Sequence, residues 1–207
     1  MIAAERIGAD AAALVRDRCW GWLVANRASF LLLPGEAAAL RGPRLKTQAE
    51  LMIFLTAALR RGLRSAAMVP LAELLDGALE SFDWESQRIR DPHFVVALLT
   101  VVEYLTATGR DASAMRRLVE RALELDAVRT LAIAPYRMME IERLLVRAGF
   151  VPGSDGELVR RYGECMELLA KPPSHFTRAD AYALTHLVCY VCDDGWRDPR
   201  RLLGAAE

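Results

Sequence analysis

The chain has 207 residues, 53% of them hydrophobic, and a mean hydropathy of +0.13, which suffices for a sizeable buried core and excludes a disordered chain. Lysine plus arginine and aspartate plus glutamate each number 27, so the formal net charge is zero. No long block of one sign supplies the field that nucleic acid or an anionic membrane surface demands, and neither is expected as a partner.

Strand-type alternation is nearly absent, while apolar residues recur at three- and four-residue spacing along almost the whole chain, so every element is expected to be helical. The start "MIAAERIGAD" lacks the basic and apolar runs of a secretory signal, which predicts a cytoplasmic protein. An amino-terminal helix follows, "ADAAALVRDRCWGWLVANR", read as a cap over residues 1–30 with Trp20 and Trp22 as core aromatics. Residues 30–46, with Pro34, Gly35, Gly42 and Pro43, read as a loop-like joint, and residues 81–93 as another. The pairs Thr47/Glu50, Ser154/Glu157 and Thr177/Asp180 each have the spacing that caps a helix start reciprocally. "FVVALLTVV" from Phe94 is the longest apolar run and is far short of the roughly 20 residues that span a bilayer.

Helix ends carry the clearest regularity. Gly62, Gly109, Gly149 and Gly195 each follow an amphipathic segment and lie 47, 40 and 46 residues apart, a spacing of two-helix repeat units. Counted back from each glycine, the same four positions read Leu51, Phe54, Leu55, Ala58, then Leu98, Val101, Val102, Leu105, then Met138, Ile141, Glu142, Leu145, then Leu184, Leu187, Val188, Val191. Only Glu142 is polar. Second helices begin near Pro70, Ser113 and Asp155, and "DPRRLLGAAE" closes a shortened last unit. The expected architecture is an all-α single domain, an α/α solenoid or closed α/α array of about four helical hairpins over residues 44–207 and about nine helices in all. Its inner helices fall near 47–61, 94–108, 135–148 and 178–194.

On the last inner helix, Leu184, Leu187, Val188 and Val191 form the expected core face, and Tyr182, His186, Cys189 and Asp193 gather within about 60° on the other side. Solvent faces elsewhere are written in Arg and Glu, whereas Tyr, His and Cys favour partial burial. The matching stripes of the preceding units include Glu103 in one and Tyr136, Glu140, Arg143 and Arg147 in the next. Two readings stay open. In one, a pocket holds His186 as a general acid/base beside the carboxylate of Glu103 or Glu140, with Tyr182 or Tyr136 as hydrogen-bond donors and Arg143 holding an anionic group. Thr185, Cys189 and Asp193 then complete its lining. In the other, the histidine is a packed core residue and the charges form an ion-pair ladder between helices.

Other motifs are weaker. "CYVC" at 189–192 lies in the last turn of a helix, where the negative dipole end disfavours the thiolate that redox chemistry needs. The four cysteines Cys19, Cys165, Cys189 and Cys192 are expected as free thiols. His186, Cys189 and Asp193 lack a second cluster to complete a metal site, so no metal or other cofactor is expected. "DDGWRD" only faintly resembles the aspartate-rich motif of helical terpene synthases, since Gly195 interrupts it and no companion motif follows. His93 and His175 precede inner helices beside prolines and read as helix-entry packing.

At "ADAYALTHLVCYVCDDG" the sequence resembles an uncharacterised family of helical proteins frequent in actinobacteria, with a pattern close to D-x-Y-A-L-T-H, then Y, then D-x-G. Asp180, Tyr182, Thr185, His186, Tyr190, Asp193 and Gly195 match it, and Asp194 stands where the pattern has an aromatic. The resemblance implies an accessory protein of a specialised-metabolite pathway with a small-molecule pocket. The leading expectation is therefore a small-molecule-binding protein or biosynthetic enzyme. The alternatives are a helical-repeat adaptor gripping a peptide or pathway protein, and homodimerisation through apolar faces.

Overall fold

A computed structural model of the chain describes residues 2–30, 38–82, 84, 92–124, 134–152, 155–193 and 197–200. Among them the chain is all helical, with eight α-helices, two short 3₁₀ turns and no strand. It divides into two compact units, residues Met1–Gln87 and Arg88–Glu207.

The first unit holds α1 (Ile2–Ala25), a 3₁₀ turn (Arg27–Phe30), α2 (Ala38–Arg60) and α3 (Met68–Ser81). The third helix packs against the other two, and the 3₁₀ turn packs on α2. Leu51, Met52 and Leu55 of α2 and Leu71 and Leu75 of α3 recur every three to four residues and are buried. Trp20 joins this core with its ring centroid 5.0 Å from that of Phe54, whereas Trp22 is 59% exposed against Phe30 and is no core aromatic. The start of α2 also departs from expectation. Ala38, Ala39, Leu40 and Arg41 are strong helix formers, so the helix begins ahead of Gly42 and Pro43 and Thr47 lies inside it rather than at its cap.

The second unit holds α4 (Pro92–Ala107), α5 (Ser113–Glu124), α6 (Pro135–Arg147), α7 (Asp155–Leu169), a 3₁₀ turn (Pro173–His175) and α8 (Arg178–Val191). The sixth helix is central and packs against α4, α7 and α8, while α5 covers α4 and α7 also touches α8. Between α6, α7 and α8 a core forms from Met139, Cys165, Leu169, Leu187, Tyr190 and Val191, with Leu158, Tyr162, Met166 and Leu184 packed around it. Full burial of each leucine contributes about 1.5–3 kcal/mol. Glu142, the one polar residue in the aligned pattern, is half-buried and pairs with Arg161 of α7 at 2.9 Å.

Three helix ends share one device. Gly62, Gly109 and Gly149 have φ of +67°, +73° and +74°. At each, the glycine amide donates to the carbonyl three residues back and the next amide to the carbonyl five residues before it, as in Gly149 to Val146 and Phe150 to Leu145. Only a residue without a Cβ adopts this left-handed turn cheaply. The last helix ends differently. It stops at Val191, and the left-handed residue is Asp193, with φ of 50° and its amide donating to Tyr190; Ser154, Asp194 and Gly195 lie outside the described residues. Its start is as expected, for the Thr177 side chain accepts from the Asp180 amide while Asp180 accepts from the Thr177 amide at 2.7 Å.

Candidate functional site

The core face of α8 is turned from the expected one. Leu187, Tyr190 and Val191 are buried, while Val188 is 54% exposed, because the helix packs on two neighbours, α6 and α7, and its buried arc is centred on Leu187. Tyr182, His186 and Asp193 then fall on the flank beside α6 and are half-buried, whereas Thr185 and Cys189 lie beyond that edge and are exposed. The Thr185 hydroxyl donates to the Tyr182 carbonyl of its own helix.

Contacts between α6 and α8 advance in the same direction along both helices, so the two run parallel: Tyr136 meets Tyr182, Arg143 meets Tyr190, and Arg147 meets Asp193. Near the start of the pair lies an aromatic ladder. The His186 ring is 3.9 Å from Tyr182 between centroids, 5.9 Å from Tyr190 and 6.1 Å from Tyr136. His186 Nδ1 donates to the Tyr182 carbonyl at 2.8 Å, since a carbonyl can only accept, and this tautomer leaves the lone pair on Nε2. The ring is thus oriented from within α8. Glu103 and Glu140, the carboxylates expected to orient it, face Arg147 and Arg137 instead.

Arg137 joins the ladder to the charges, reaching Glu140 at 2.6 Å and the Tyr182 hydroxyl at 3.4 Å. Burial works against its charge, but the Glu140 hydrogen bond and charge outweigh it and raise the Arg137 pKa above the ordinary arginine value. Burial, reinforced by the Glu140 charge, pushes the Tyr190 phenol far above its usual pKa, and Arg137 and Arg143 only partly oppose this. The Tyr190 hydroxyl is buried beside Glu140, which acts on its pKa through both charge and hydrogen bonding.

Towards the end of the pair the charges gather on Asp193. Its Oδ1 lies 2.5 Å from Arg147 and 3.4 Å from Arg143, and Arg147 also approaches Glu103 of α4 at 3.5 Å. The two arginine side chains are only 7% and 10% exposed, against 29% for Asp193. Asp193 is thus the member of this cluster that water reaches most.

Beside this cluster opens a cleft of about 300 Å³, whose lining includes the charged residues Glu142, Arg143, Arg147, Glu157, Asp193 and Arg197 together with Tyr190, Val146, Val151, Pro152 and Leu158. The carboxyl ends of α6 and α8 point their negative dipoles here and the start of α7 its positive one, each effect about 0.3–1 kcal/mol. Hydrogen bonds to a charged group contribute about 1.5–3 kcal/mol, so the arginines set the character of the cleft.

The structure thus brings Tyr136, Tyr182 and His186 into the ladder, with Glu140 linked to it through Arg137, and Glu103, Arg143 and Asp193 into the charged cluster. It leaves Thr185 and Cys189 outside both. Arg147 belonged to the same sequence stripe as Arg143 and was legible there. Tyr190 stood in the family-like pattern, whereas Arg137, Val146 and Leu158 were not legible, because each follows from packing between helices rather than from one helix face. Among the described residues no three His, Cys, Asp or Glu side chains gather as a metal site, and no helix is long and apolar enough to cross a membrane. His175 is exposed in its 3₁₀ turn, and the side chain of His93 lies outside the described residues.

Neither a curated protein nor a solved structure matches the chain. An uncharacterised family was the expectation, and residues 16–207 match a family model of unknown function over nearly the whole length. The chain belongs to the family described as Domain of unknown function (DUF6895).

Proposed function

We propose that the protein binds a small molecule in the cleft between α6, α7 and the end of α8. The observation that carries this reading is the pair of buried arginines, Arg143 and Arg147, at the wall of a cleft of about 300 Å³, a size at the lower end of small-molecule sites. The second unit is read as stacked helical hairpins, supported by its glycine-ended helices α4 and α6 and by parallel α6 and α8. An accessory role in a specialised-metabolite pathway, as implied by the resemblance, suits such a holder. His186, with its Nε2 lone pair, borders the site through Tyr190, and an acid/base role for it requires a ligand long enough to pass that ring.

A fragment library screened by ligand-observed NMR tests the reading, with Val146→Trp as the comparison protein. Val146 is a partly exposed lining residue, so tryptophan there fills the cleft without emptying the core. Fragments bound by the native chain should be lost in the variant. Hits that persist in it, or no hits at all, would overturn the reading and turn attention to a protein partner.

A further inference from the structure

The cleft also specifies what kind of molecule it takes. We infer that its ligand is an uncharged molecule with an apolar body of about the size of two fused rings, framed by the surrounding ion pairs rather than gripped by them; this rests on the cleft being a binding site.

Charge sets the first limit. The described lining carries three arginines, Arg143, Arg147 and Arg197, and three carboxylates, Glu142, Glu157 and Asp193, so it has no net sign to offer an ion. Its charged groups are also engaged already. Asp193 draws both Arg143 and Arg147, and Arg147 approaches Glu103 as well. Glu142 meets Arg161 at 2.9 Å, Glu157 pairs with Arg160 and lies 3.5 Å from Arg161, and Arg197 is engaged too. An anion or a cation entering here must break one of these bridges or stand beside a like charge, and a charge taken out of water in either condition is costly.

The surface that stays open is the second and independent sign. Although six of the described lining residues are charged, most of the surface the cleft presents is apolar. Long charged side chains show carbon stems when their heads are paired. Val146 and Val151, each 38% exposed, add branched aliphatic surface beside Pro152 and Leu158, and covering such surface with an apolar body is favourable. Size sets the last limit. A volume of about 300 Å³ is roughly twice that of a ~150 Å³ cavity that holds benzene, which allows about two fused rings or a chain of similar bulk.

Ligand-observed NMR titrations of the full chain at about pH 7 and low ionic strength test this, with 2-naphthamide, 2-naphthoate and 2-naphthylmethylammonium as neutral, anionic and cationic forms of one body. The amide should bind, and the two ions at least about tenfold more weakly. Val146→Trp should lose the amide. Glu157→Gln removes one lining carboxylate from an exposed bridge and should raise the affinity of naphthoate relative to naphthamide by about threefold. Either ion binding as tightly as the amide, or an unchanged ratio in Glu157→Gln, would overturn the inference while leaving the cleft reading intact. No binding of any of the three probes, or amide binding that persists in Val146→Trp, would also overturn it, and the fragment screen then decides the cleft reading separately.

Discussion

Replacing Asp193 separates two contributions that meet at one residue, its charge and its left-handed backbone. At an effective dielectric near 20, a unit charge about 4 Å from each guanidinium contributes about 4 kcal/mol of gross attraction per pair, most of it offset by desolvation. Removing one partner of a fully buried pair costs about 3–5 kcal/mol. Because Asp193 is 29% exposed and water can enter where it stood, about 2–3 kcal/mol is the expected loss here. The backbone term follows from φ of 50°, a region that alanine occupies at a cost of about 1 kcal/mol and glycine does not resist. Asp193→Asn, which keeps the tolerance for this turn and loses the charge, should therefore destabilise by about 2–3 kcal/mol. Asp193→Ala should likewise cost about 2–3 kcal/mol and Asp193→Gly only about 1–2 kcal/mol. Urea denaturation followed by circular dichroism reads all three. A loss below about 0.5 kcal/mol for Asp193→Asn would show that these pairs count for no more than surface bridges, and equal losses for Ala and Gly would refute the backbone argument.

Two glycines should respond in opposite directions to alanine. Nothing lies within 4 Å of a Cβ added at Gly149 or at Gly77, so only the backbone differs: Gly149→Ala should lose about 1 kcal/mol at its left-handed φ, and Gly77→Ala inside α3 should gain about 0.5–1 kcal/mol, both measurable by thermal unfolding. The Lys171 and Thr177 hydrogen bonds lower the Asp180 pKa to about 2. Because the folded value is depressed, the stability Asp180 adds is complete above its unfolded pKa of about 4 and is lost as pH falls from there towards 2. Asp180→Asn should flatten that acid limb in pH-dependent melts, and an unchanged limb would refute the assignment. Burial raises the Tyr104 pKa to about 12 and that of Tyr190 further. Their contribution is complete below pH about 10 and is lost as pH rises through the folded values, so absorbance at alkaline pH should show both ionising only on unfolding. Gradual ionisation of either phenol in the folded chain would contradict its burial.

Much of this was readable from residue spacing, and the failures have identifiable causes. The glycines at 62, 109 and 149 marked helix ends because a left-handed turn is a local requirement that one residue satisfies. Thr177 and Asp180 marked a start for the same reason. Thr47 misled, since an equally good capping pattern inside a run of helix formers has no orphan amides to satisfy. The stripe of Tyr136, Glu140, Arg143 and Arg147 was legible as one face of α6, because helical spacing alone fixes it. What that face meets was not. Tyr190 falls outside the expected core face of its helix yet is buried, because α8 packs on α7 as well as α6, and only tertiary contact decides how wide a buried arc becomes. For the same reason the orienting partner of His186 came from its own helix and not from a neighbouring carboxylate.

The end of α8 shows how such a scaffold makes a site from a position that elsewhere only stops a helix. At Gly62, Gly109 and Gly149 the left-handed residue has no side chain and the turn contributes backbone hydrogen bonds alone. At Asp193 the same conformation is held by a residue that tolerates it less well, at a cost of about 1 kcal/mol relative to glycine. In return a carboxylate stands just beyond the helix, facing two arginines that α6 carries one turn apart. With glycine there, Arg143 and Arg147 would lose the carboxylate on which both converge, and removing one partner of a buried ion pair is costly. With aspartate there, the residue that costs backbone strain also supplies the charge that two positions on one face of α6, Arg143 and Arg147, meet.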